Sequence, residues 1–134
     1  MFIKSENKTS DLTKVAALLI HAAKIDEDYS KEEESIIRQA LLKIRANKAD
    51  IEDIITQAKR IEEDSNQILD FTKEVKNMNE NDKIKIIKTL WKIIFSNKEA
   101  DIYETNLMRR LAGLLYIDSK IMGDIKEQIK KENV

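Results

Sequence analysis

The chain has 134 residues, with 24 lysines and arginines against 25 aspartates and glutamates, so its formal net charge is −1. The absence of cysteine and proline, with only two glycines and one histidine, excludes a disulfide scaffold, a cysteine or multi-histidine metal site and a turn-rich β-sandwich. A charged fraction of 37% at near-zero net charge provides no overall field for nucleic acid, and a hydrophobic fraction of 42% is higher than a disordered chain carries.

Apolar residues recur at intervals of three and four along almost the whole chain, which predicts amphipathic α-helices. Four helices are predicted in the first half, at residues 10–25, 30–44, 51–61 and 68–75. Ser10 or Asp11 is the expected N-cap of the first helix. Ser30 and Glu33 have the spacing of a capping box, which places the start of the second helix.

The second half of the chain contains the most apolar segment, Ile84 to Phe95, whose few polar residues lie on one narrow stripe. This pattern predicts a central helix with other helices on most of its sides. A polar connector, Asn77 to Asp82, precedes it. Capped starts at Asp101 and Asp118 predict two further helices. Seven helices with short connections indicate an all-α fold in one domain, residues 1–134.

An internal repeat relates residues 15–41 to residues 86–112 at a constant offset of 71 positions. The matched apolar pairs are Val15 with Ile86, Ala16 with Ile87, Leu19 with Leu90, Ile20 with Trp91, Ile36 with Leu107, and Ile37 with Met108. The polar loops between them align as well. The spacing predicts two pseudo-symmetric helix–loop–helix hairpins.

Three polar positions recur in the two loops at matching spacing. They are Asp26, Ser30 and Glu33 in the first copy, and Asn97, Asp101 and Glu104 in the second. With these positions, and with the run from Tyr103 to Ala112, the sequence resembles the TerB-like family over residues 12–125. This family includes the tellurite-resistance module TerB and the helical module of DjlA-type co-chaperones. The resemblance implies an all-α fold, a divalent cation held by the acidic loops, and a link to tellurite and chemical stress.

Candidate metal ligands in the first copy are Asp26, Asp28 and Glu33, because a hard cation such as calcium takes several carboxylate oxygens. A weaker candidate set in the second copy consists of Asn97, Asp101 and Glu104. Asn97 replaces the usual aspartate of the family. Two other residues, Glu27 and Lys98, stand where the family usually has glycine, and Lys98 places a competing cation beside the second set.

Helix capping is the competing interpretation of the same residues. The pairs Ser30 with Glu33 and Asp101 with Glu104 are explained by capping boxes and by the favourable position of an acid near a helix N-terminus. Both interpretations stay open at the level of sequence.

The other residues whose side chains could take part in catalysis or binding are better explained by structural roles. His21 has no second histidine or cysteine to act with, so we expect it on a helix flank. Trp91, Phe95 and Met108 at helical spacing are expected in the core. No phosphate-cradling glycine loop and no nucleophile motif is present, so we expect no enzymatic activity.

Two functional hypotheses follow. The first is a small cytoplasmic helical module resembling TerB, which binds a divalent cation and is linked to stress; the N-terminal residues lack the apolar region of a signal peptide. The alternative is an adaptor without a metal role that docks a protein partner or the inner membrane surface through an exposed apolar groove. Neither hypothesis involves nucleic acid, because lysines alternate with acidic residues. The sequence predicts neither the partner nor the oligomeric state.

Overall fold

The computed structural model describes residues 2–24, 31–44, 47–64, 69–96 and 102–132, with side chains at 12–24, 31–44, 47–64, 71–96 and 104–132. These residues form seven α-helices and a short 3-10 helix, with no strand among them, which confirms the all-α prediction. The helices are α1 (Phe2–Ala23), α2 (Lys31–Ile44), α3 (Ile51–Asp64), α4 (Leu69–Lys76), α5 (Glu80–Phe95), α6 (Ile102–Leu114) and α7 (Ser119–Glu132), and the 3-10 helix Lys48–Asp50 precedes α3. No helix in the described ranges is both long enough and apolar enough to cross a bilayer.

Helix starts agree with the capping signals in the second half of the chain. The side chain of Asp118 accepts a hydrogen bond from the backbone N–H of Lys120 at 2.8 Å, as expected of the N-cap of α7. The connector before α5 is shorter than predicted, because Asn79 caps that helix by accepting from the backbone N–H of Asp82 at 2.8 Å. The last three residues of the predicted connector therefore belong to α5.

The start of α1 differs from the prediction. The helix begins at Phe2, so Ser10 and Asp11 lie inside it and neither is its N-cap. Residues 2–9 contain no glycine or proline that would stop a helix, and their polar composition lacks the apolar period on which the prediction depended.

The core is built around two helices. As predicted, α5 is buried on most sides, and it packs against α1, α2 and α7. The C-terminal half of α1 is equally central: every residue from Val15 to Ile20 is 0% exposed, and α1 packs against α2, α3, α4 and α5. These two helices are the first members of the two repeated segments, so the repeat places its most apolar elements side by side.

A tight turn joins α6 to α7. Tyr116 has a φ of 56°, a left-handed backbone conformation that residues other than glycine rarely adopt. The N–H of Ile117 donates to the carbonyl of Ala112 at 2.9 Å, and the N–H of Tyr116 donates to the carbonyl of Gly113 at 3.4 Å. This pair of hydrogen bonds is the Schellman motif, with a tyrosine at the position where glycine is usual.

Candidate functional site

The first turns of α2 and α6 carry the candidate site residues that the structure describes. The two helices begin at Lys31 and Ile102, which are equivalent under the offset of the repeat. Each has a glutamate at its third position, Glu33 in α2 and Glu104 in α6. Glu33 is only 1% exposed and Glu104 only 3% exposed. The repeat therefore buries one carboxylate at the same position of α2 and of α6.

Buried carboxylates at these positions are unusual enough to require a physical explanation. An acid in the first turn of a surface helix ordinarily remains in water, as the exposed Glu32 does beside Glu33. Removal of a carboxylate from water is strongly unfavourable unless polar groups replace the lost hydration. Both buried glutamates have interaction partners. The unpaired N–H groups and the positive end of the helix dipole in a first turn also favour a negative charge there.

Most of the matched apolar pairs are buried in both copies, for instance Leu19 with Leu90 and Ile37 with Met108, whereas Ile36 is only partly buried. The helices that follow the two glutamates have different neighbours. The second helix, α2, packs mainly against α5 and α1, and α6 packs against α4 and α7. The arrangement holds two fixed carboxylates at the helix ends that adjoin residues 25–30 and 97–101.

The other candidate ligands lie outside the described residues. They are Asp26, Asp28, Asn97 and Asp101. In the part of the chain that the structure describes, no three histidine, aspartate or glutamate side chains come together in a group that could hold a metal ion. The predicted ligand sets and the capping boxes, whose N-caps are also among the undescribed residues, stay predictions.

His21 lies on a helix flank, as expected, and is part of a charged cluster that the sequence analysis missed. Its Nδ1 is 3.3 Å from Oε2 of Glu62 on α3, and Nζ of Lys24 donates to Oε1 of the same carboxylate at 2.7 Å. Glu62 is 11% exposed. The cluster fastens the C-terminal end of α1 to α3. The sequence showed only that His21 and Lys24 lie near each other at the end of α1, and it gave no indication of their partner.

Trp91, Phe95 and Met108 are in the core, as predicted. Trp91 and Met108 are almost fully buried, and the rings of Trp91 and Phe95 stack with centroids 5.7 Å apart. Trp91 also forms part of the wall of a surface cleft of about 390 Å³ between α5, α6 and α7. Nζ of Lys126 lies 5.6 Å from the centroid of the Trp91 ring, and the indole N–H has no hydrogen-bond acceptor among the described residues. Because Trp91 is only 2% exposed, the cleft presents little of its ring to solvent.

Comparison with known proteins gives one match. The family model described as "Tellurite resistance protein TerB" matches residues 12–127, nearly the whole chain. No curated protein sequence and no solved structure shows a significant match.

Proposed function

Because the chain belongs to the TerB family, we propose that it is a non-catalytic cytoplasmic module that binds a divalent cation such as calcium and takes part in the response to tellurite or related chemical stress. The observation that carries the cation-binding part of this proposal is the pair of buried glutamates, Glu33 and Glu104, at equivalent positions of α2 and α6. The link to stress rests on the family description alone.

The buried glutamates support cation binding for a physical reason. A carboxylate held in a fixed position loses little conformational freedom when it coordinates an ion, and Ca²⁺ takes six to eight oxygen ligands, several of them charged. In the first copy, Glu33 follows Asp26 and Asp28 closely in sequence, so this short segment carries three carboxylates. In the second copy the loop contains Lys98, so we expect the first copy to bind first.

The non-catalytic part of the proposal rests on composition. The chain contains one histidine and no cysteine, and that histidine, His21, is engaged by the carboxylate of Glu62. A general base needs access to a substrate proton, and a nucleophile needs such a base beside it. The sequence offers neither arrangement.

The test is a calcium titration of the ¹⁵N-labelled protein, followed by amide chemical shifts. We expect saturable shifts centred on residues 26–33, with an affinity in the range of about 0.1–1 mM typical of loosely organised calcium modules. The double variant Asp26→Asn, Asp28→Asn should abolish these shifts. Asp124→Asn, an exposed residue of α7, is the matched control and should leave them unchanged.

Two results would count against the cation proposal. One is the absence of any saturable shift at about 10 mM calcium, well above the weakest modules of this kind. The other is an equal loss of binding in the Asp124→Asn control, which would indicate nonspecific attraction. Either result would leave capping as the role of Glu33 and Glu104.

The adaptor hypothesis receives less support from the described surface. It requires a contiguous exposed apolar patch. The exposed large apolar side chains in the described part of the chain are Leu42 in α2 and Tyr116 after α6. A pull-down with membrane vesicles or candidate proteins that captured the calcium-free module, and failed with Leu42→Ser or Tyr116→Ser, would favour this hypothesis instead.

A further inference from the structure

A concave groove between α2 and α5 is lined by four lysines. Lys43 comes from α2, and Lys85, Lys88 and Lys92 come from α5. The groove has a volume of about 270 Å³, and none of the described side chains that line it is acidic. We call it the lysine groove. Apolar surface from α2, at Ile36 and Ala40, lines the same space.

The sequence of α5 explains how three of these lysines reach one groove. Lys85, Lys88 and Lys92 are separated by three and four positions, so they lie on one face of the helix. Lys43, in the last turn of α2, faces them from the other wall. Four like charges held close together repel one another unless an opposite charge lies between them.

Acidic neighbours compensate this charge only in part. The single ion pair of the groove in the described structure joins Nζ of Lys85 to Asp82 at 3.9 Å, a long contact, and the same ammonium donates to the backbone carbonyl of Lys43 at 3.3 Å. The side chains of Lys43, Lys88 and Lys92 have no ion pair with any described residue. In contrast, Lys59 on α3 lies within 2.8 Å of a glutamate.

The repeat provides an internal control for the structural role of these lysines. The positions in α1 equivalent to Lys85 and Lys92 are Lys14 and His21. Lys14 is paired with Glu74 at 3.0 Å, and His21 lies 3.3 Å from Glu62. Lys88 corresponds to Ala17, which is completely buried. In the first copy, therefore, this helix face packs against α3 and α4, where Lys14 and His21 each lie beside a glutamate. In the second copy the corresponding face borders α2, and no described acidic side chain pairs with Lys88 or Lys92.

We propose that the lysine groove binds a small ligand that carries two or more phosphate groups. Lysine ammonium groups are compact point charges that suit phosphate oxygens, and several of them around one concavity favour a multivalent anion over a monovalent one. The apolar wall at Ile36 and Ala40 accommodates an organic part of the ligand. A concave groove presents its charges to a small ligand better than to a flat membrane surface. This inference is independent of the cation proposal, because it uses no residue of the acidic loops.

The experiment is a titration of the ¹⁵N-labelled protein with sodium triphosphate, and separately with ATP, in magnesium-free buffer. We expect saturable amide shifts that map to α2 and α5 around the lysine groove. The double variant Lys88→Gln, Lys92→Gln should weaken binding of either anion by about tenfold or more, since it removes two charged contacts. The matched control, Lys120→Gln with Lys130→Gln, changes the net charge equally at two exposed positions of α7 and should retain the affinity within about twofold.

Several results would overturn the proposal. These are no saturable shift with either anion, an equal loss of affinity in the α7 control, or groove shifts that occur only with vesicles containing phosphatidylglycerol. Tighter binding of an acidic peptide such as hexaglutamate than of triphosphate would also overturn it, because the ligand would then be a protein segment. If the double variant does not fold by circular dichroism, Lys43→Gln on the opposite wall tests the same groove and should weaken triphosphate binding several-fold.

Discussion

Replacement of Ile94 by alanine tests the role of α5 in the core. Ile94 is completely buried, and the substitution removes three carbon atoms worth about 0.8 kcal/mol each on transfer from water. That gives about 2.4 kcal/mol, and the residual cavity raises the expected loss in free energy of unfolding to about 3–4 kcal/mol. With an unfolding entropy of about 2.1 cal/mol/K per residue, the melting temperature should fall by roughly 11–14 °C.

Urea and thermal unfolding followed by far-UV circular dichroism measure this loss. Lys88→Ala is the control in the same helix, because it removes a half-buried lysine from the groove side, and it should change the free energy of unfolding by less than about 0.5 kcal/mol. Small and equal losses for Ile94→Ala and Lys88→Ala would refute the assignment of α5 to the core and would identify it as a surface helix.

Three further substitutions test individual contacts by urea unfolding. Trp91→Phe removes a buried N–H that has no acceptor among the described residues, so it should lower the free energy of unfolding by no more than about 1 kcal/mol, against about 3–5 kcal/mol for Trp91→Ala. Equal losses would contradict this reasoning. Glu62→Gln weakens the ion pair with Lys24, so it should lower the free energy of unfolding by about 1 kcal/mol in low salt and by less in about 1 M NaCl. A loss that does not depend on salt would indicate a packing effect instead. Tyr116→Gly should gain about 0.5–1 kcal/mol by relieving the left-handed backbone, and a lower unfolding midpoint would show that the tyrosine ring stabilises the turn.

Local signals predicted the parts of the fold that depend on neighbours in sequence. The helices α2, α6 and α7 begin directly after Ser30, Asp101 and Asp118, the polar residues from which their starts were predicted, and the burial of Trp91 and Ile94 follows from helical period. The start of α1 was missed because residues 2–9 have helix-compatible residues without an apolar stripe. Helical period also predicted a polar stripe on α5 that is wider than the exposed one. Thr89 belongs to the stripe but is buried, and its hydroxyl is satisfied there by donating to the carbonyl of Lys85 at 2.8 Å.

Contacts between distant segments lay beyond sequence reasoning. No residue next to Glu62 in the sequence indicates that its carboxylate contacts His21 and Lys24. In the same way, no residue next to Lys43 indicates that it faces the lysines of α5. Both depend on which helices become neighbours. The position of Glu33 was predicted from its capping box, but its burial was not, because first-turn acids usually remain in water.

The central position of α1 has a consequence for biosynthesis. The residues from Val15 to Ile20 emerge from the ribosome before α5, which ends at Phe95 and is one of the helices that bury them. At a translation rate of about 5–20 residues per second, α5 is complete roughly 4–15 s after these residues. During that interval the nascent chain exposes this apolar stretch, so a chaperone that shields exposed α1 should raise the yield of folded protein. Proteolysis of arrested ribosome–nascent-chain complexes, with α5 either still absent or fully emerged, tests this order. We expect α1 to resist protease only in the longer chain.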